Sequence, residues 1–307
     1  MTSSHQDHLP RITIITPTFN QAHYIERTIC SVLDQGYQNI EYFIVDGGST
    51  DSTMSIIDIY RDELTSVQSQ DKITASQAIN KAFKKATGDI IAILSSDDIY
   101  LPGTLHHVAE HFTKHAETDW LLGNIQRIDA KDNALGKFTA ECPDSFSQFL
   151  IHDTGYTSGA ATFFRRSAIE SRKHLFNPKL KYAYEYELAC SLLAQGNTPT
   201  LLKQTLTAKR EHNLSNAAKY TFDRGEEYIS ITESYIDDLP MTERYTVWQN
   251  CQQRREIYKI ARTESLESQT RNFLWKQLLR RPSWLASDNY RHSLLTGVSE
   301  HAQRKAA

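Results

Sequence analysis

Cysteine is scarce in this 307-residue chain. Cys30, Cys142, Cys190 and Cys251 stand far apart and no Cys-x-x-Cys pair occurs. That spacing argues against a zinc site built on paired thiolates and against a disulfide framework, and it points to a reduced, cytoplasmic setting. Long apolar runs are missing too. No stretch approaches the roughly 20 residues that cross a bilayer, and the opening MTSSHQDHLPR has no apolar centre of the kind a secretory signal needs. Charge of one sign is also lacking. The formal net charge of −3 at pH 7 gives no global pull toward nucleic acid or an anionic surface. The glycines form neither a G-x-G-x-x-G nor a Walker pattern, which disfavours classical dinucleotide and P-loop binding.

What is present is a core. Hydrophobic residues make up 39% of the chain, enough for one large α/β domain with or without an appendage. Strand-like and helix-like segments alternate, the pattern of a mainly parallel sheet with crossover helices. Ile12–Thr16, Glu41–Val45 and Ile90–Leu94 read as strands, the last as a fully buried one. Ala22–Gln35, with Ile25, Ile29, Val32 and Leu33 on one face, reads as a helix, as do Ser52–Tyr60 and Ser76–Ala86. Further on come a helix begun by Pro102, strands at Trp120–Ile128, Gly136–Ala140 and Ala161–Phe164, and a helix at Tyr184–Ala194. From about Tyr220 the texture turns charged, aromatic-spotted and helical, without a strand signal.

In an open parallel sheet, ligands bind beyond the carboxyl ends of the strands. Three strand ends here carry polar clusters: Thr16-Pro17-Thr18-Phe19-Asn20, Asp46-Gly47-Gly48, and Ser95-Ser96-Asp97-Asp98. Any one of them passes for an ordinary turn, but three on successive strand ends make one rim. Adjacent carboxylates repel, so Asp97 and Asp98 need a cation, hydrogen-bond donors or solvent. A hard ion such as Mg²⁺ often takes only one or two protein carboxylates and completes its shell with water and phosphate oxygens.

ITIITPTFNQAHYIERTICSVLDQGYQNIEYFIVDGGSTDST and ATGDIIAILSSDDIYLPGTL, followed by ATFFRRSAI and YAYEYELACSLLAQG, resemble family 2 glycosyltransferases over the first two thirds of the chain. The resemblance implies the GT-A fold: α/β, a mainly parallel nucleotide-binding sheet flanked by helices, here with a C-terminal helical extension. It implies a flexible stretch over 1–10 and a catalytic domain over 11–216, with a nucleotide-sugar half at 11–118 and an acceptor half at 119–216. The extension then covers 217–307. It implies an inverting enzyme using a nucleotide-diphosphate sugar, UDP-linked, with Mn²⁺ or Mg²⁺, acting on a glycan or lipid-linked acceptor as in cell-surface polysaccharide synthesis. Pro17 and Phe19 match positions lining the nucleobase pocket, and Asp46 matches the acid that contacts the base. Asp71 and Lys72 match the donor-site Asp-Lys pair. Asn80, Ser96 and Asp98 fall in donor-side stretches, and Asp97 matches the metal-coordinating carboxylate.

The same resemblance places the catalytic base in Tyr184-Glu185-Tyr186-Glu187. On a helix Glu185 shares a face with Leu188, Ala189 and Leu192, whereas Glu187 lies nearly opposite with Cys190 and Ala194. Glu185 is therefore the expected base and Glu187 its competitor. In LTAKREHNLSN the family often carries Arg-x-His near the diphosphate, which makes His212 a second candidate metal ligand and Arg210 a phosphate partner. A lone loop histidine is otherwise usually surface. Departures are visible as well: Gln77 stands where an acid is common, and Gly159-Ala160 where His-Gln is frequent. Such drift leaves open a catalytically impaired nucleotide-sugar-binding protein of the same fold. A nucleotidyltransferase would carry a Gly-rich basic first loop, which PTFNQAHYI is not. Segment 271–285, RNFLWKQLLRRPSWL, admits two readings: a basic amphipathic helix touching the inner face of the membrane, or a helix packed on the catalytic domain.

Overall fold

The computed structural model describes residues 9–152, 159–212 and 221–262. The basic segment 271–285 and most of the expected flexible N-terminus lie outside the described residues. In chain order the elements are β1 (Ile12–Thr18), α1 (Ile25–Leu33), β2 (Ile40–Asp46), α2 (Thr53–Ile59), β3 (Ser66–Ser69), α3 (Ala75–Phe83), β4 (Ile90–Ile93) and β5 (Ile99–Tyr100). There follow α4 (Thr104–Lys114), β6 (Trp120–Ile128), β7 (Ala134–Phe138), α5 (Phe146–His152), β8 (Thr162–Arg165), α6 (Arg166–Ile169), α7 (Tyr184–Ala194) and β9 (Thr200–Arg210). Two helices close the described chain, α8 (Thr221–Ser234) and α9 (Met241–Arg262).

The strands form one sheet in the order β3-β2-β1-β4-β8-β6-β9-β5, with β7 paired to β6. The first four are parallel, which accounts for the near-continuous apolar reading of β1, β2 and β4: both faces are covered. Pleating divides their residues between two cores. Ile12, Ile14, Tyr42, Ile44, Ile90 and Ala92 face α1, α2 and α4, while Ile15, Phe43, Val45, Ile91 and Ile93 face α3, α5 and α7. Beyond β4 the sheet is mixed. β8 runs antiparallel between β4 and β6, β9 runs parallel to β6, and β5 pairs antiparallel to β9.

Helix ends follow local chemistry. Thr74 caps α3 by accepting from the Gln77 backbone N–H, and the Gln77 side chain accepts from the Thr74 N–H, closing a capping box. The residue that stands in place of an acid is thus engaged at a helix terminus. Helices α8 and α9 do not form a separate core. Ile231, Leu239 and Val247 join the cluster that holds Phe149, Tyr186 and Leu188. Arg165 and Arg166, at the end of β8 and the start of α6, both hold backbone. Arg165 donates to the carbonyls of Thr118, Phe112 and His115, and Arg166 to those of Gly88 and Ala86.

Candidate active site at the strand ends

The ends of the parallel strands β1, β2 and β3 lie side by side and form one rim. Phe19 stands 57% exposed at the end of β1. A β-carbon on Gly47 would lie 3.5 Å from both its ring and the Ile73 carbonyl. Gly48 adopts φ +88°, and a β-carbon there would come within 2.7 Å of the Asp71 carboxylate. Glycine is therefore required twice over, by the left-handed backbone and by close approach. Pro17 is half-buried, and Asp71 and Lys72 are exposed on the same rim. Lys72 itself holds φ +58°, an uncommon conformation for a residue with a side chain.

Asp46, expected against a nucleobase, is wholly buried. Its carboxylate accepts from the N–H groups of Gly48 and Ser49 at 3.0 Å each, from Ser49 Oγ at 2.5 Å and from Ser69 Oγ at 2.7 Å. This carboxylate shapes the loop that surrounds it. Asn80, expected toward the donor, is buried too. Its side-chain amide donates to the Phe176 carbonyl at 2.7 Å and accepts from the Phe176 N–H at 2.9 Å, which ties α3 to the segment leading into α7.

The Ser95–Asp98 turn sits at the end of β4, closed by Asp98 N–H donating to the Ser95 carbonyl at 3.1 Å. Ser96 and Asp98 are buried. Asp98 Oδ1 accepts from the Arg210 N–H at 2.8 Å, and the Asp98 carbonyl accepts from Thr28 Oγ1 at 2.8 Å. Burial, and then the neighbouring Asp97 charge, push the Asp98 carboxyl up to about 8. Neutralising one of two adjacent acids removes their mutual repulsion. Asp97 remains more open, its side chain 16% exposed and its Oδ2 3.0 Å from His212 Nε2.

The sequence TLLKQTLTAKR forms an eleven-residue strand, β9, and His212 lies two residues past its end, outside regular structure. Its ring packs 4.7 Å from that of Tyr24, and its Nδ1 is buried with no partner. Arg210 lies over the same Tyr24 ring at 4.8 Å, donates from Nε to the Asp97 carbonyl at 2.9 Å and pairs with Asp132 at 2.6 Å. Asp132 in turn pairs with Arg27. Arg210 thus organises the turn from beneath.

Among the described residues no group of three or more His, Cys, Asp or Glu side chains could hold a metal ion by itself. Asp97 and His212 offer one carboxylate oxygen and one imidazole nitrogen, a partial shell that suits Mg²⁺ or Mn²⁺ once phosphate oxygens supply the rest. The residues fit such an ion in company with a diphosphate.

Across the rim, α7 presents its two acids in different directions. Both carboxylate oxygens of Glu187 accept from Arg172 Nη2, each at 3.0 Å. Among the described residues Glu185 has no such ion pair. Desolvation raises its carboxyl above the ordinary range, opposed by the charges of Lys209 and Arg224 and by the Gly159 N–H donating to it. Glu185 and Lys209 both act electrostatically on Asp98, so the acid of α7, the lysine of β9 and the Ser95–Asp98 turn share one site. The start of α7 is held from outside: the Glu227 carboxylate on α8 accepts the N–H groups of Lys181, Tyr182 and Ala183 at 2.9, 2.8 and 2.8 Å.

Sequence reasoning missed Tyr24, Asp132, Lys209, Arg224 and Glu227. Reading β9 as a strand would have found Lys209, because alternation along it sets Lys209 between the buried Ala208 and Arg210. The others meet the site only through long-range folding and leave no local signal.

The mixed α/β sheet thus carries a polar rim, a carboxylate–imidazole pair after β4 and a desolvated acid at the start of α7. A family model, described as glycosyl transferase family 2, matches residues 13–172, and the chain belongs to that family. It is an enzyme of the glycosyltransferase class. An uncharacterized glycosyltransferase of Nostoc sp. is 29% identical over 276 residues, spanning 81% of this chain and 82% of that protein. The Escherichia coli UDP-Glc:alpha-D-GlcNAc-diphosphoundecaprenol beta-1,3-glucosyltransferase WfgD is 30% identical over 140 residues, or 45% of this chain and 54% of its own. Among solved structures, S. aureus TarS in complex with UDP-GlcNAc has the same GT-A-type fold, with TM-score 0.62 at 20% identity over 80% of this chain and 72% of that one.

Proposed function

We propose that this chain transfers a sugar from a UDP-linked donor to a hydroxyl of a glycan or lipid-linked acceptor, with inversion at the anomeric carbon. The observation that best supports the reading is the Asp97–His212 contact of 3.0 Å beside the buried Asp98, on which the charges of Glu185 and Lys209 both act. The names of two similar proteins support the donor class, one a UDP-glucose-dependent transferase acting on a diphosphoundecaprenol-linked sugar and one a complex with UDP-GlcNAc.

In this reading Phe19, Gly47, Gly48 and Asp71 bound the nucleoside, with Pro17 and Lys72 beside them. Asp97 and His212 would hold a divalent cation, which when bound stabilises negative charge on the departing diphosphate. Glu185 accepts the proton of the incoming hydroxyl as the oxygen attacks from the face opposite the leaving phosphate. A raised carboxyl pKa makes that acid a better proton acceptor than an ordinary surface carboxylate, provided the pH keeps it ionised. Asp98 and Arg210 position the turn. Asp46 and Asn80 act through the loops they fix.

The test is a donor panel. UDP-glucose, UDP-GlcNAc and GDP-mannose are incubated with the protein and Mn²⁺, with and without chelator, and nucleotide release and calorimetric affinity are recorded. Manganese-dependent UDP binding with turnover of one UDP-sugar is expected. Tight UDP binding without turnover on a broad acceptor panel would instead mark a binding protein that has lost catalysis.

A further inference from the structure

Glu185 has an unusual neighbour. Gly159 lies in the turn just before β8 and donates its backbone N–H to the Glu185 carboxylate. A β-carbon built on Gly159 would overlap Oε1, Cδ and Oε2 of that same side chain. Ile93, Trp120, Phe164, Phe176 and Leu188 line the rest of the small cavity around the pair.

Both backbones have anchors. The 159–161 turn is anchored by Thr207 Oγ1 on β9 donating to the Ala160 carbonyl at 2.7 Å, and Ala161 is buried in the core. The start of α7 is fixed by the three N–H groups that Glu227 accepts. The atoms that a methyl at 159 would meet belong to the far end of the Glu185 side chain.

We propose that Gly159 is the positioning residue for Glu185: the missing side chain at 159 lets a glutamate place its carboxylate at this rim. This rests on the reading of Glu185 as the base. An aspartate at 185 is one methylene shorter and draws its carboxylate back from the space that a methyl group at 159 would take. The identity of residue 159 therefore selects the length of acid that can work at 185. Because the far end of a flexible chain yields, a methyl at 159 shifts the carboxylate while the fold stays intact.

The test is a double-mutant cycle over wild type, Gly159→Ala, Glu185→Asp and the double variant, with Glu185→Gln as a control. The readouts are UDP release from UDP-GlcNAc and UDP-glucose with Mn²⁺, UDP affinity, thermal midpoint, and crystal structures of Gly159→Ala and the double variant. Gly159→Ala is expected to lower kcat about 100-fold, the scale of an ångström-sized misplacement of a reacting group. UDP affinity and thermal midpoint should hold. In the Glu185→Asp background the same change should leave kcat nearly unaltered. The crystal structures should show Glu185 displaced from the residue-159 N–H in the single variant, and the shorter acid accommodated beside the methyl in the double. An equal fold-loss in both backgrounds, or a Gly159→Ala structure with Glu185 still on that N–H, overturns the pairing. Undiminished turnover by Glu185→Gln would instead overturn the base assignment, so the two failures are distinct.

Discussion

Two acids two positions apart on α7 meet opposite surroundings. Glu187 is held by Arg172, whereas Glu185 lies desolvated beside the Gly159 N–H. Glu185→Gln is expected to lower kcat by about 100- to 10,000-fold and to leave UDP affinity at the wild-type value, measured by calorimetry. Glu187→Gln should act on stability, because it leaves Arg172 without its countercharge. The pH profile has a definite sign. A general base must be ionised, and burial raises the Glu185 pKa, so activity should fall as pH drops through a limb lying above the ordinary carboxylate range of about 4.3. Lys209 opposes that rise. Lys209→Met should move the acid limb of kcat further upward, and a downward or absent shift would remove Lys209 from the electrostatics of Glu185. At this scale the sequence was informative where helical geometry separates neighbours, as it did for the two glutamates. It did not foretell the intramolecular partners of Asp46 and Asn80, whose side chains meet backbone and hydroxyl groups that only the fold brings near.

Among elements, β9 does most to assemble the site. Its parallel pairing with β6 and antiparallel pairing with β5 carry Lys209, Arg210 and His212 to the Ser95–Asp98 turn. The sequence hid it because its outer half, Thr200–Thr205, is largely polar and partly solvent-facing, so neither strict alternation nor an apolar run is visible. β1, β2 and β4 were legible because both faces of each strand must be apolar, and α7 because its mostly apolar run 188–194 is too long for a typical strand once 184–187 are joined to it. Helix α8 acts on the site from a distance through Glu227. Glu227→Ala leaves three N–H groups at the α7 entry without their acceptor and is expected to cost about 2–3 kcal/mol of stability. Glu227→Gln, which keeps an acceptor oxygen, should recover part of that loss in a urea melt. Equal loss in both variants would mean that the hydrogen bonds are not what Glu227 contributes.

On the scale of the molecule, two cores back one sheet, and the helices after residue 220 belong to one of them. Tyr228 packs 4.4 Å from Tyr186, and the Tyr186 hydroxyl meets Thr232 Oγ1 at 2.8 Å. Arg255 binds Glu233 through two contacts of 2.9 Å and locks α9 onto α8. The texture after Tyr220 announces helix but not packing, because tertiary burial leaves little trace in a charged, aromatic-spotted sequence. Removing residues 217–307 is therefore expected to abolish cooperative thermal unfolding, followed by circular dichroism. A truncated chain that melts sharply at the wild-type midpoint would contradict the shared core. Among the described residues no helix is long and apolar enough to cross a membrane.

The link from β4 to β5 leaves the middle of the sheet and returns at its far edge. Along the way Asp98 is fastened to α1 through Thr28 and to β9 through Arg210. Grafting a relative's acceptor-side segments onto this chain would cut those fastenings unless residues 95–100 travel together with 206–212. Anyone building chimeras to change what the enzyme glycosylates should treat the two stretches as a single cassette.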